Sequence, residues 1–425
     1  MAFDKRQLDN GIRVMLMPLG GTTAVTVLVL YEVGSRYETG RLNGASHFIE
    51  HMMFKGTTRR PTTLDISRDL DSVGADYNAF TGKDYTGYYV KLQSEKLALA
   101  VDLLDDMIYG SLYRPKDVES ERQVILEELR MYEDNPIMFV EELVEEELYS
   151  GSPLGMRIGG TVDSVRGLTR EGLVKYRDRY YVPPRTVIAV AGSFDSEETM
   201  RLLGRKFGRH AGRGTPKQYE RCGKSGYVAP RVRVHERDTE QVQLAIGFPA
   251  YPYGHASLPA LNVLSTILGG TMSSRLFTAV REREGLCYFI RSAASPYQDT
   301  GDITIQAGLA KDRLGRAMTI IVRELRRMKD AKVTIEELTR AKDYLKGKIA
   351  LALEDSSYQA DWYAKQELLM KKASTPEERL ARIFRVNRDD VQRVANDLFR
   401  TKRASVAAIG PFKDGKPLVE AVTGL

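Results

Sequence analysis

Two segments of this 425-residue chain echo one another, and an internal repeat constrains the fold more than any single motif does. The stretch RTVIAVAGSF starts at Arg185, and RASVAAIGPF starts 218 residues later at Arg403. Both are short apolar, β-rich runs closed by a glycine, Gly192 and Gly410, the pattern of a buried strand ending in a turn. At the same offset, Thr169 precedes Arg170-Glu171 and Asn387 precedes Arg388-Asp389. Each reads as a helix N-cap with an acid in the first turn. A second echo lies upstream. Thr86-Gly-Tyr-Tyr-Val and Thr300-Gly-Asp-Ile-Thr stand 214 residues apart, each ahead of a helical pattern around 96–109 and 314–328. Two echoes in one order at nearly one offset indicate duplication of a unit of about 200 residues.

Each half mixes alternating strands with long amphipathic helices and lacks a regular βαβ rhythm. The expected fold class is therefore α+β: two homologous domains, each a mostly antiparallel sheet with helices packed on it, a duplicated α/β roll. The expected boundaries are 1–212, a Gly-, Arg- and Lys-rich linker at 213–230, and 231–425. With 42% hydrophobic and 28% charged residues, the chain can bury a core in each half and is not a disordered polymer. No apolar run approaches the ~18 residues of a membrane span. Long apolar stretches such as Ala24–Tyr31 read as buried strands.

The net charge of +6 is spread among acids and bases along the chain, which gives no support to nucleic-acid binding. Two cysteines, Cys222 and Cys287, cannot build a disulfide framework or a cysteine metal site, and a reducing compartment is expected. The first 16 residues carry Asp4 and Asp9 and no apolar core. They resemble neither a secretory signal nor a transit peptide, so the expected location is cytoplasmic.

Only five histidines occur, and two of them stand in His47-Phe-Ile-Glu-His51. On a helix, residues four apart share a face, so both imidazoles can reach one ion. Glu50 falls between them, where it can act as a base on bound water without ligating the metal. The plainer alternative is two half-buried histidines beside a solvated glutamate. A catalytic zinc site needs a third protein ligand. The helical pattern Val118–Tyr132 places Glu121 and Glu128 one above the other, about 20° apart on the wheel, within an arc containing Val124, Ile125 and Met131. Buried carboxylates there need a cation. Glu128 is the expected third ligand, and Glu121 the carboxylate that orients the site from behind. Pairing of both with Arg or Lys is the alternative.

With these residues in view, the chain resembles the insulinase or pitrilysin family of inverted zinc peptidases, which includes short-chain members akin to mitochondrial processing peptidase. Gly44-Ala-Ser-His-Phe-Ile-Glu-His-Met-Met-Phe-Lys-Gly-Thr57 resembles the family's zinc helix, and Glu121–Leu129 resembles its third-ligand helix. Asn78-Ala-Phe-Thr-Gly-Lys-Asp-Tyr-Thr-Gly-Tyr-Tyr89 is similar to the family's substrate-holding edge strand, which implies that Asn78, Ala79, Phe80 and Thr81 contact substrate. In the second half, Leu268–Phe277 and Val280–Tyr288 resemble the region that supplies an arginine and a tyrosine seven residues apart. That implies Arg281 and Tyr288 as donors to substrate and to the charged intermediate. The second half shows only His255 between Tyr251 and Ile267, so one zinc per chain is expected. The resemblance implies a zinc metalloendopeptidase that acts on short or unfolded peptides inside a chamber formed by two chains, a homodimer or a heterodimer. The alternative is a non-catalytic partner or structural subunit of the same fold.

Overall fold

The computed structural model describes residues 3–212, 216–223 and 229–425. The expected linker, 213–230, falls partly outside them. Eleven named strands form two sheets. In the first, β1 (Asp4–Gln7), β2 (Arg13–Pro18), β3 (Ala24–Tyr31), β4 (Asp76–Thr81), β5 (Thr86–Gln93) and β6 (Thr186–Gly192) lie in the order β1-β2-β6-β3-β5-β4. In the second, β7 (Arg231–Glu236), β8 (Gln241–Ala250), β9 (Cys287–Pro296), β10 (Gly301–Ala310) and β11 (Ser405–Gly410) lie in the order β7-β11-β8-β10-β9.

The duplication is visible in this topology. With β1 set aside, the two strand orders correspond position for position, and each sheet has one parallel pair, β2/β6 and β7/β11, with the rest antiparallel. The echo at Arg185 and Arg403 contains the equivalent strands β6 and β11, and the echo at Thr86 and Thr300 contains β5 and β10. Thr169 and Asn387 cap the helices Arg170–Tyr180 and Arg388–Leu398, accepting from the backbone N–H groups of Gly172 and Asp390. The fold is α+β with two units of one plan.

Strand β3 shows why the central strands read as unbroken apolar runs. Side chains alternate between faces. Val25, Val27, Val29 and Tyr31 enter the main core of the first unit, whereas Leu28 and Leu30 enter a separate cluster on the other face. Neighbouring β6 divides likewise, Ile188 and Val190 against Val187, Ala189 and Ala191. Both faces are covered, so neither can be polar. At roughly 1.5–3 kcal/mol for each fully buried aliphatic side chain, exposing either face is unaffordable.

The cover on the outer face determines which segments belong to which unit. The first unit comprises Met1–Leu129, Met156–Glu220 and Ala350–Thr375; the second comprises Arg130–Gly155, Arg221–Ile349 and Pro376–Leu425. The units are thus not the contiguous stretches 1–212 and 231–425. Ala360, Trp362, Tyr363, Ala364 and Leu368 of the helix Ser356–Met370 cover the outer face of the first sheet. In the second unit, Phe139, Val140, Leu143, Val144 and Leu148 of the helix Pro136–Leu148 pack on Ala245, Ala407 and Ile409. Each sheet takes one covering helix from the other half of the sequence, because an apolar sheet face needs an apolar helix stripe, wherever along the chain that stripe lies.

Both cysteines are free. Among the described residues, no helix is long and apolar enough to cross a membrane.

Candidate metal centre

The histidine pair lies on α1 (Ala45–Met52), which follows β3 through a loop. Phe48, Ile49 and Met52 anchor α1 in the core, so the opposite face, with His47, Glu50 and His51, is left half-buried. The start of α1 is held in an unusual way. Gly44 caps it at φ +93°, and a Cβ there would stand 2.7 Å from the Gly159 carbonyl oxygen, so only glycine fits. Glu38 is buried beside it. Its Oε1 accepts from the Ser46 N–H and its Oε2 from the Gly44 N–H, both at 2.7 Å, and Asn43 Nδ2 adds a third bond at 3.1 Å. Burial nevertheless pushes the Glu38 carboxyl up to about 7, against these bonds.

The third donor comes from α2 (Pro115–Asp134). Val118, Glu121, Ile125, Leu126 and Leu129 are its buried side. Val124 and Met131, expected in the apolar arc, are exposed at 49% and 56%. The buried arc is therefore centred about 80° round from Glu128, near Ile125 and Val118, at 100° per residue. Glu121 lies inside it and Glu128 at its rim. That is the better arrangement for a ligand, since a rim carboxylate can face a cavity that water enters.

His47 Nε2 and His51 Nε2 stand 3.2 Å apart. Glu128 Oε2 is 3.4 Å from the second and 3.7 Å from the first. A tetrahedral zinc with bonds of about 2.0–2.1 Å needs donors about 3.3 Å apart. The three side chains therefore fit such an ion with little movement, and they are the one His, Cys, Asp and Glu group of this kind among the described residues. Behind them, Glu121 Oε1 sits 2.8 Å from His51 Nδ1, which turns Nε2 toward the other donors, and Lys55 pairs with the same carboxylate. Among the described residues, His47 Nδ1 is buried without a hydrogen-bond partner.

The charges are arranged for a cation. Burial lowers the His51 pKa, but the bonds to Glu121 and Glu128 outweigh it and hold the imidazole at about 9. Burial and the neighbouring His51 drive His47 down to about 4. The bond to His51 keeps Glu128 below the usual carboxylate range, against burial. Glu121 is also low, because His51 and Lys55 overcome its desolvation. Two ionised carboxylates thus face two imidazoles of which the field favours one positive charge.

Glu50 points to the same side. Burial raises its pKa, and a bond from Thr81 partly offsets the rise. Thr81 belongs to β4, the terminal strand of the first sheet in the β4/β5 hairpin. Gly82 N bonds Tyr85 O at 2.8 Å, which sets the antiparallel alternation. Tyr77, Ala79 and Thr81 then turn their backbone groups to the open edge. In agreement, the Ala79 N–H is bonded at 2.8 Å by Asn78 Oδ1, its neighbour's side chain, and not by β5. Phe80 points to the other face and packs with the cluster that includes Tyr85.

The structure thus brings His47, Glu50, His51, Glu121, Glu128 and Thr81 together within the first unit. Arg281 and Tyr288 belong to the second. Arg281 lies in a π-helical turn, Phe277–Glu282, with its guanidinium 4.8 Å from the Phe277 ring centre and 5.5 Å from that of Tyr288. Tyr288 is the second residue of β9 and is 73% exposed. Reading the sequence alone missed Glu38 and Lys55. Lys55 follows His51 by four residues, a spacing that could have flagged it. Glu38 carries no such signal, because a lone acid before a glycine-rich turn is common.

Two histidines and a glutamate on α1, with a second glutamate from α2, give the residue set and spacing of an inverted zincin motif. The chain matches the family "Insulinase (Peptidase family M16)" over residues 13–162 and "Peptidase M16 inactive domain" over residues 167–345. It is 36% identical to an uncharacterized zinc protease of Streptomyces coelicolor, over 96% of this chain and 89% of that protein. It is 35% identical to the uncharacterized zinc protease YmxG of Bacillus subtilis, over 95% of this chain and 97% of that one. In fold it is similar to a protease from Helicobacter pylori, with a TM-score of 0.90, 24% identity and coverage of 96% and 99% of the two chains. The chain belongs to the insulinase family of M16 peptidases.

Proposed function

We propose that this protein is a zinc metalloendopeptidase that cleaves short or unfolded peptides laid as an added strand along the open edge of β4. The observation that carries the reading is the convergence of His47, His51 and Glu128 at donor spacings suited to one ion, with Glu50 on the same helix face. When bound there, zinc would supply a Lewis acid that makes water acidic near neutral pH. The chain's own groups do the rest. The Glu50 carboxylate takes a proton from the attacking water and returns it to the nitrogen of the leaving amine. Glu121 keeps His51 in the tautomer whose Nε2 faces inward. The outward N–H and C=O groups of Tyr77, Ala79 and Thr81 can bind an extended peptide backbone, once Asn78 releases the Ala79 N–H.

Arg281 and Tyr288 are assigned to substrate and intermediate binding. Their support is the matching spacing, a guanidinium and an exposed phenol side by side. The proposal extends to two chains enclosing a chamber, which would limit substrates by size; a sedimentation velocity run that finds only monomer ends that part. The alternative, a non-catalytic subunit, is compatible with the "inactive domain" match over residues 167–345 and is disfavoured by the complete donor set of His47, His51 and Glu128.

Incubation of a mixed peptide pool with wild type and Glu50→Gln, read by mass spectrometry beside zinc analysis, tests the reading. Cleavage by wild type alone, with one zinc per chain in both proteins, is the expected result. No cleavage by a zinc-loaded wild type, or equal cleavage by both, refutes it.

A further inference from the structure

We propose that Thr81 is the positioning residue of the Glu50 base, so that the strand offered to the peptide also fixes the group that moves the proton. The inference rests on the reading of Glu50 given above.

Thr81 Oγ1 donates to Glu50 Oε2 at 2.5 Å. A hydroxyl donating to a carboxylate at that distance is a short, charge-assisted bond. No other hydrogen bond to the Glu50 carboxylate occurs among the described residues, so Oε2 is committed and Oε1 is left to take a proton. Glu50 needs such a tether. A glutamate side chain has three rotatable bonds, and α1 alone fixes none of them beyond the first.

The placement of Thr81 follows from the alternation of β4. Ala79 and Thr81 share the face toward α1, while Phe80 lies on the opposite face. The same alternation turns the Thr81 backbone to the open edge. One residue therefore presents its main chain where a peptide would pair and its side chain to the base. A peptide in register with Thr81 is by that fact in register with Glu50, which is what a near-attack geometry demands. Among Asn78, Ala79, Phe80 and Thr81, the four residues the resemblance groups together as substrate contacts, only Thr81 has its side chain on Glu50. Its hydroxyl is thereby withdrawn from substrate.

The test uses the zinc-loaded full chain and a quenched fluorescent peptide that wild type cleaves. Thr81→Val removes the donor and keeps the β-branched shape. The expected result is a loss in kcat of roughly ten- to a hundredfold, the scale of one charge-assisted hydrogen bond, with KM within about twofold of wild type. Zinc content should not move, and any fall in melting temperature should be the same whether or not peptide is present. Thr81→Ser should restore kcat. In the Glu50→Gln background, Thr81→Val should lower activity no further and should leave the affinity for a labelled uncleaved peptide, read by anisotropy, unchanged. If Thr81→Val does not fold, Thr81→Ala carries the same expectations. Unchanged kcat, a loss that Thr81→Ser does not restore, or a raised KM or weakened peptide binding overturns the inference. The two readings fail separately. An active Glu50→Gln removes the base itself, whereas an inactive Glu50→Gln beside a fully active Thr81→Val removes only the tether.

Discussion

Glu121 should govern how tightly the site holds its metal, although it is no ligand. Its carboxylate is 2.8 Å from His51 Nδ1, its side chain is only 5% exposed, and it pairs with Lys55. Glu121→Gln keeps the shape and a carbonyl oxygen for His51 but removes the charge. Loss of an outer carboxylate behind a metal-binding histidine typically costs about 10–100-fold in affinity. That is about 1.4–2.7 kcal/mol at 1.36 kcal/mol per tenfold. The upper part of the range is expected here, because the change also leaves the Lys55 ammonium without its partner near the cation. The assay is competition for zinc against a fluorescent chelator near pH 7.5, with circular dichroism to show that the fold is kept. The double variant Glu121→Gln/Lys55→Met should bind zinc more tightly than Glu121→Gln alone, because the unpaired charge is gone and the two sites are in contact. An affinity for Glu121→Gln within twofold of wild type refutes the reasoning, and so does a double variant weaker than the single one.

Glu38 should make stability depend on pH. Its carboxyl rises from an ordinary 4.5 to about 7 in the fold, so the folded state prefers the protonated form. Its contribution is full below pH 4.5 and is lost as pH rises toward 7. Wild type should therefore lose about 2 kcal/mol relative to Glu38→Gln between pH 5 and pH 8, read by urea unfolding at both values; a constant difference refutes it. Ile125 and Val124 test where the buried face of α2 lies. Ile125→Ala should cost about 2–4 kcal/mol and Val124→Ala less than about 0.5 kcal/mol, by thermal or urea unfolding. Equal losses would return Val124 to the core.

What the sequence discloses depends on how local the cause is. The repeat was legible because β6 and β11 are covered on both faces and so must be apolar throughout, and because Thr169 and Asn387 cap their helices by purely local bonds. The candidate metal site was legible because His47 and His51 share a helix face by spacing alone. The exchange of covering helices was not, since nothing local distinguishes a stripe that fits one sheet from a stripe that fits the other. The centre of the α2 face was misplaced for a related reason. Val124 and Met131 are apolar yet exposed, and a wheel counts them as core. Glu38 was missed because its two shortest bonds come from backbone N–H groups, which leave no mark in the sequence.

The comparison of the two units isolates what turns this scaffold into a site. Both have a helix after the strand that pairs with the hairpin, and both set it against the edge strand: α1 against β4, and Leu258–Gly269 against β9. The second helix buries Ala260, Leu261, Val263, Leu264, Ile267 and Leu268 and offers no histidine or carboxylate. It can only pack. In α1 the corresponding turns leave three polar side chains on a half-buried face, and two glutamates of α2 complete the charge. Desolvating such groups is unfavourable unless a cation offsets it, a condition that the proposed zinc would meet. The sheet, hairpin and helix are thus common property of both halves. The candidate site belongs to the half in which five polar side chains interrupt the packing, and the edge strand beside the other helix has no carboxylate of that helix to hold.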